Sequence, residues 1–480
     1  MPLEVNEALV KAVAIKEKTI DDGRSLSKKG AYKNTFKTAD GSLLWCECQG
    51  STLYKLSVDV AGDKPLMRCT CPVKPPPCKH ILGMMLHYIA NSGSFKQAEP
   101  PADLMEKRGK AEVRAENASK PKKVDVKALE KKTKEQRDAL DLLEKLVLDL
   151  ASGGLGTVDD KKAKRLHEQS KQLTDAYLKG AAFAVRRLAS LANVDAAEGV
   201  NDDERHRLMI RQLVRLWAIV RKGQKMLDEK LEEGETQNDS DAVVEELLGK
   251  DWKISELKEK GSVRANVELL ELAFERYDDP IREERIELSH VVELSDGAVY
   301  ADINMRPQAA LDKTREKESF EDVVTVPEAA IYPGFVNRRV RWELLQAKPR
   351  PIAKGDWERL HKVALGEIAP ALAKFKEQIK NPLAPDEAVF LLKVKDLVKV
   401  QAGIALIDEK GARLLMQDPP LARYKSTGNL ELAAGAAGKG GPMPSPCSIL
   451  VRFWLGLQDY GVRGQALALV VGDQRIRLGM

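Results

Sequence analysis

The hydrophobic positions change their period along the chain, and the changes mark out its units. In LYKLSVDV, Tyr54, Leu56, Val58 and Val60 alternate with Lys55, Ser57 and Asp59, which predicts a strand with one apolar and one polar face. A helix over about 4–20 and a strand over Leu43–Cys48 are expected before it. After it comes the helix HILGMMLHYIA, stopped by Asn91-Ser92-Gly93. Residues 1–95 therefore read as one unit. From about 136 to 235 the period is helical: Ala139, Leu142, Leu143, Leu146 and Leu150 follow the i, i+3, i+4, i+7 rule, as do Leu213, Leu216, Trp217 and Val220. Thr157 is a candidate N-cap between them, and the helices are expected to pack as a bundle. Over 260–480 the texture turns to strands, in VELLELAFERY, GAVYADINM and the stretches 389–416 and 448–480, interrupted by one helical segment over 355–379. Helices followed by strands predict an α+β multidomain chain with a helical middle region and β-rich C-terminal regions. The Ala/Gly-rich stretch LAAGAAGKGGPMPSP reads as loop.

Residues 96–135 lack the large apolar residues of their neighbours and read as a charged linker. Within 120–134, Lys120, Lys122, Lys123, Lys127, Lys131, Lys132 and Lys134 face Asp125 and Glu130. A solvated segment is the plain reading, and contact with a nucleic-acid backbone is the alternative.

Composition narrows the class. The chain has 480 residues, 43% hydrophobic and 31% charged, which suits about three globular domains. With 78 basic and 73 acidic side chains the net charge is +5, too small for a nucleic-acid coat protein. No run approaches the ~20 apolar residues of a membrane helix. The first residues, MPLEVNEALVKAVAIKEKTIDD, lack the parts of a signal peptide, so a cytoplasmic location is expected.

Five of the six cysteines fall between Cys46 and Cys78. In a reducing compartment such clustering points to a metal rather than to disulfides. Cys69-x-Cys71-x6-Cys78-x-His80 supplies three thiolates and one imidazole, a complete tetrahedral shell for one structural zinc ion. Pro75-Pro76-Pro77 are expected to form a stiff, extended approach to Cys78. Cys78 should lie at a helix N-terminus, where the dipole favours the thiolate. Arg68, Lys74 and Lys79 stand beside the ligands and can offset the net charge of about −1 that three thiolates leave on zinc. Cys46 and Cys48, two apart on a strand, could form a second soft site or a disulfide, with buried packing as the alternative. His87 lies about 10 Å further along the helix than His80, too far to share the ion.

Catalytic patterns are absent from the sequence. Gly438-Lys439 lacks the Ser or Thr of a phosphate loop, and Gly153-Gly154-Leu155-Gly156 joins two helices rather than a strand and a helix. Asp356, Glu358 and His361 read as a solvated helix face.

The ligand spacing, after a hairpin and opening a helix, resembles the SWIM-type zinc finger. WCECQGS at Trp45–Ser51, CTCP and CKHILGMML are similar to the bacterial branch of that family, with Cys46 where a glycine is more usual. ALDLLEKLVLDLASGGLG and DAYLKGAAFAVRRLASL resemble the middle of these proteins. The resemblance implies a β-β-α zinc module that binds DNA or proteins and is not catalytic. Members of this branch are often encoded beside MoxR-type AAA+ ATPases and von Willebrand factor A-domain proteins, which suggests an adaptor role in a chaperone-like system. The alternative is a nucleic-acid-binding protein. The apolar finger helix, with Ile81, Leu82, Met84, Met85, Leu86, Tyr88 and Ile89, is expected to carry more apolar surface than one small core absorbs, which favours a protein partner.

Overall fold

The computed structural model describes residues 3–62, 64–119, 126–193, 200–233, 242–438 and 443–479. They form two compact units, residues 1–124 with 306–317 and residues 125–305 with 318–480. Among the described residues no helix is long and apolar enough to cross a membrane.

The first unit opens with two helices rather than one, α1 (Glu7–Val13) and α2 (Glu17–Lys28), because Ala14 turns extended after α1. Then come β1 (Tyr32–Lys37), β2 (Leu43–Gln49), β3 (Leu53–Asp59), β4 (Leu66–Cys69), α3 (Lys79–Ala90), β5 (Lys96–Gln97) and α4 (Ala102–Ser119). The sheet order is β4-β3-β2-β1-β5, with β5 parallel to β1 and the other pairs antiparallel. Cys48 lies opposite Tyr32 and Tyr54, Cys46 opposite Leu56, and Leu56 opposite Cys69. Opposed residues share a face, so Tyr32, Cys46, Cys48, Leu56 and Cys69 all point to one side, which α3 covers.

The other face of the sheet is also covered. Ser57 and Asp59, expected on a polar outer face, are buried. Arg108 of α4 donates to both Asp59 carboxylate oxygens, at 2.6 and 2.8 Å, and to Ser42 Oγ at 2.9 Å. Helix α4 thus stands where a linker was expected over 96–135. Its charged residues suit the outer side of a helix, where Asp103–Lys107 pair across one turn at 2.8 Å. Residues 120–125 lie outside the described residues.

Helices α2 and α3 cross at Gly23 and Gly83. A Cβ on Gly23 would lie 2.7 Å from the Gly83 nitrogen, and one on Gly83 would collide with the Tyr32 hydroxyl and the Gly23 carbonyl. The crossing is therefore closed to any side chain. Gly83→Ala should destabilise this unit by about 2 kcal/mol in urea unfolding; an unchanged midpoint would contradict the close approach.

The second unit begins with four helices, α5 (Val126–Gly153), α6 (Asp160–Asp175), α7 (Lys179–Ala192) and α8 (Asp202–Glu233). They bury Leu140, Leu143, Val147, Leu166, Leu188, Leu216 and Val220 against one another. Asp159, not Thr157, caps α6, its carboxylate accepting from the Lys162 N–H at 2.8 Å. Thr157 bonds back to the Gly154 carbonyl instead. Leu142 and Trp217, which share the helical period of the core residues, lie exposed. Short helices α9 (Ala242–Leu247) and α10 (Ile254–Glu259) follow.

Two sheets complete this unit. The first contains β6 (Val263–Asp279), β7 (Glu284–Glu293), β8 (Val299–Pro307), β9 (Val323–Ile331), β10 (Val340–Arg341) and β11 (Lys348–Arg350), in the order β10-β9-β6-β7-β8 with β11 on β9. Helices α11 (Lys354–Val363) and α12 (Ile368–Ile379) replace the single expected segment. The second sheet contains β12 (Glu387–Lys393), β13 (Asp396–Val400), β14 (Gly403–Ile407), β15 (Arg413–Met416), β16 (Cys447–Leu455), β17 (Val462–Val471) and β18 (Gln474–Arg477). Its order is β12-β16-β17-β15-β14-β13, with β18 on β17. Leu270 and Val292 of one sheet pack with Leu450 and Val470 of the other and with Trp357 and Leu360 of α11. Helix α13 (Thr427–Gly438) occupies much of the stretch expected as loop, as its run of alanines allows; residues 439–442 lie outside the described residues.

Buried charges pin this second unit. Asp356 and His361, expected on a solvated face, are both buried, and only Glu358 of that set is exposed. Asp356 accepts from Arg350 at 2.6 and 2.8 Å, while His361 bonds Ser448 and the Gly472 carbonyl, each at 2.8 Å. Between the sheets, Glu275 meets Arg452 and, at 3.1 Å, His290. Burial alone would raise the Glu275 carboxyl, but the Arg452 charge and the His290 bond hold it well below the usual carboxylate range. A carboxyl depressed on folding stabilises fully above its unfolded value and loses that contribution as pH falls toward the folded one. Glu275→Gln should therefore cost about 3 kcal/mol at neutral pH, with the gap to the parent narrowing below about pH 4.5. A gap independent of pH in urea unfolding would contradict the pairing.

Candidate metal centre

The site is built at the junction of strand and helix. Cys69 is the last residue of β4, held by the pairing of Leu56 with Cys69. Cys71 follows in the turn, and its N–H donates to Cys69 Sγ at 3.4 Å. Cys78 is the N-cap of α3 and His80 lies in its first turn. Lys74–Pro75 and Pro76–Pro77 are cis in the segment before Cys78, in place of the extended run expected there.

The donor atoms of Cys69, Cys71, Cys78 and His80 all lie within 4.8 Å of one another, and all four residues are buried. His80 Nδ1 is 4.0 Å from Cys69 Sγ and 3.7 Å from Cys78 Sγ. Tetrahedral zinc at ~2.3 Å from sulfur and ~2.0 Å from nitrogen sets its ligand atoms roughly 3.5–3.8 Å apart. The residues present therefore fit one zinc ion, with Nδ1 as the imidazole donor. Among the described residues these four form the group able to hold a metal.

Surrounding groups fix the ligands. The Tyr32 hydroxyl donates to the His80 carbonyl at 3.0 Å, anchoring the first turn of α3. The Tyr54 ring lies tilted against the His80 imidazole, 4.8 Å between centroids, and its hydroxyl meets Ser51 Oγ at 2.6 Å. Gly50 leaves room for that ring, since a Cβ there would stand 2.7 Å from Tyr54. Hydrogen bonding from Cys69, outweighing burial and aided by His80 and the Ile81 N–H, pushes the Cys78 thiol well below its ordinary value. The site is thus arranged to favour a thiolate at the helix N-terminus.

The neighbouring candidates take other roles. Cys46 and Cys48 are free and buried on the sheet face beneath α3. Burial pushes the Cys46 thiol up and, with the neighbouring Cys78, raises that of Cys48 to about 11, so both pack as neutral thiols. His87 bonds Ser27 Oγ at 3.3 Å and stacks on Tyr32, away from the ligands. Lys74 reaches the Cys69 carbonyl at 3.4 Å. Arg68, adjacent to Cys69 in sequence, points to the opposite face of β4 and donates to the Lys107 carbonyl at 3.2 Å, so strand alternation removes it from the shell.

Of the lysines read as a possible nucleic-acid contact, Lys120, Lys122 and Lys123 lie outside the described residues. Lys127, Lys131, Lys132 and Lys134 fall on the first turns of α5 and are exposed. Lys134 pairs with Glu130 at 2.8 Å and Lys131 with Glu135 at 3.8 Å, which dilutes the positive charge. Lys132 lies 4.9 Å over the Tyr177 ring.

Purified protein should contain about one zinc per chain, measured by metal analysis, with none lost on dialysis against buffer. Cys78→Ser should release it and open residues 65–95 to protease while the fragment from about 136 onward stays resistant, because so small a unit draws much of its stability from the ion. Equal resistance of both regions in the variant would mean that the metal is incidental.

Comparison with known families agrees with this geometry. No curated protein and no solved structure is a significant match. Residues 131–238, which hold most of α5 and all of α6 to α8, match the SWIM-associated four-helix bundle domain. Residues 59–89, which hold all four ligands, match the SWIM zinc finger, so the chain carries a SWIM finger followed by its associated bundle.

Proposed function

We propose that the protein is a non-catalytic adaptor of the cytoplasm, shaped by its zinc finger and recruited to an ATPase-driven, chaperone-like assembly. The closure of the metal site carries this reading. Four buried donors complete the shell and leave no position for water or substrate, so the ion supplies folding energy and shape rather than a nucleophile. The combination of finger, bundle and paired sheets offers several rigid faces for partners. The resemblance to the bacterial SWIM branch points to a MoxR-type AAA+ ATPase or a von Willebrand factor A-domain protein as the partner.

The finger helix is not that docking face. Ile81, Leu82, Met84, Met85 and Leu86 are buried against the unit's own sheet and helices and Tyr88 and Ile89 are half-buried, so most of the apolar surplus expected from its composition is absorbed internally. Met84→Glu would accordingly unfold the finger rather than spare it.

One observation favours the nucleic-acid alternative. From Lys64 to Ala98 there is no carboxylate, and Lys64, Lys74, Lys79 and Lys96 are exposed there. Phosphate contacts of this kind give weak, salt-sensitive binding. The two readings separate in one pair of measurements. Retention on heparin should vanish between roughly 0.1 and 0.3 M salt, while a MoxR-type ATPase from the same host co-purifies with the full chain. Sequence-specific DNA binding tighter than about 1 μM at physiological salt, lost in zinc-loaded Lys74→Ala/Lys79→Ala, would overturn the adaptor reading.

A further inference from the structure

Helices α5 and α8 run antiparallel, and the seam between their outer edges has two unlike halves. At one end it is closed by polar pairs: Arg137 with Asp228 at 2.7 Å, Gln224 with Asp141 at 2.8 Å, and Arg221 with Glu144 at 3.5 Å. One turn further along the edge that carries Arg137, Asp141 and Glu144 stands Leu148. Continuing the pairing places it beside Trp217, and Val214 and Ile210 extend the α8 edge at i−3 and i−7 from Trp217. Among the described residues nothing closes the seam here. Leu148 is 51% exposed, Trp217 38%, Val214 48% and Ile210 53%.

We propose that this open half-seam is a docking groove for an amphipathic helix with acidic flanks, presented by a partner protein. The inference rests on the adaptor reading and names the face and the chemistry that would serve it. Four side chains at helical spacing expose on the order of 300 Å² of apolar surface, the scale of a functional patch on a monomer. Such a row is what a helix laid in a groove engages with its own i, i+4, i+7 anchors.

Charge fixes the occupant. Over 205–227 α8 contains no carboxylate, and Arg221, Lys222 and Lys225 are exposed there, while Arg205 and Arg215 turn instead to the Leu191, Pro382 and Ala384 carbonyls. Arg221 stands at the rim with its guanidinium 5.6 Å from the Trp217 ring centre, and Lys145 of α5 is exposed beside the groove. An acidic flank on the incoming helix would meet these cations, whereas a basic one would be repelled. A single-stranded nucleic acid fits less well. Bases stack on aromatic faces, yet three of the four groove residues are aliphatic and Arg221 already lies over Trp217.

The test uses the zinc-loaded full chain and a fluorescein-labelled peptide of roughly 18 residues, with leucines at i, i+4, i+7 and i+11 and glutamates on both flanks. Its counterpart with lysines in place of the glutamates and a short single-stranded DNA serve as the other probes. By anisotropy the acidic peptide should bind with micromolar affinity, weaken with added salt, and lose at least about tenfold in Ile210→Glu/Val214→Glu. Both substituted side chains are exposed, so the variant should keep the parent's melting midpoint and zinc content. Absence of acidic-peptide binding, equal binding of the two peptides, or an unchanged variant would overturn the groove. Tighter binding of the DNA, lost in the same variant, would overturn it in favour of a nucleic acid. If the peptide fails while the ATPase still co-purifies, the groove is wrong and the adaptor reading stands; the reverse pattern spares the groove and removes the ATPase.

Discussion

Four donor atoms from a strand end, a turn and a helix start must converge on one ion, and the N-terminal unit is organised around that demand. The pairing of β3 with β4 brings Cys69 to the sheet end, and the N-cap position brings Cys78 to the orphan N–H groups of α3. Neither element could hold the other without help at this size. The ion, the Tyr32 bond to the His80 carbonyl and the glycine crossing of α2 with α3 all press on the same helix. Because α3 is seated by these constraints, its Ile81, Leu82, Met84, Met85 and Leu86 belong to the interior.

The second unit solves its packing without a metal. Its bundle is apolar inside, while its two sheets meet around a buried ionic group, Glu275 with Arg452 and His290. A buried ionic group of this kind is weak evidence for net stability, since removing both charges can be neutral while removing one is costly. Its geometry does fix which strands of the two sheets face each other. The asymmetry of the α5–α8 seam is a surface feature of the same unit, polar pairs at one end and exposed apolar groups at the other.

The metal ligands were legible in the sequence because soft donors at short spacing have few other uses. Element types were legible for the same local reason, in the alternation of Tyr54 to Val58 and the helical period of Leu143 to Leu150. What the sequence hides is what covers what. Asp59 looks solvent-facing by alternation, and only the arrival of Arg108 from 49 residues away makes its burial tolerable. Asp356 and His361 look like a polar helix face because their partners, Arg350, Ser448 and the Gly472 carbonyl, are set by tertiary packing. Trp217 shares the period of Leu213 and Val220, yet belongs to a second stripe with Ile210 and Val214 that the core does not reach. That second stripe was readable as i, i+4, i+7 spacing, though its exposure was not.

The central claim is a closed shell of three sulfurs and one nitrogen. Zinc K-edge X-ray absorption on the purified full chain tests it most directly. The account predicts three sulfur scatterers near ~2.3 Å and one nitrogen near ~2.0 Å, with no bound water. A shell with two or fewer sulfurs, or one completed by oxygen, would contradict it.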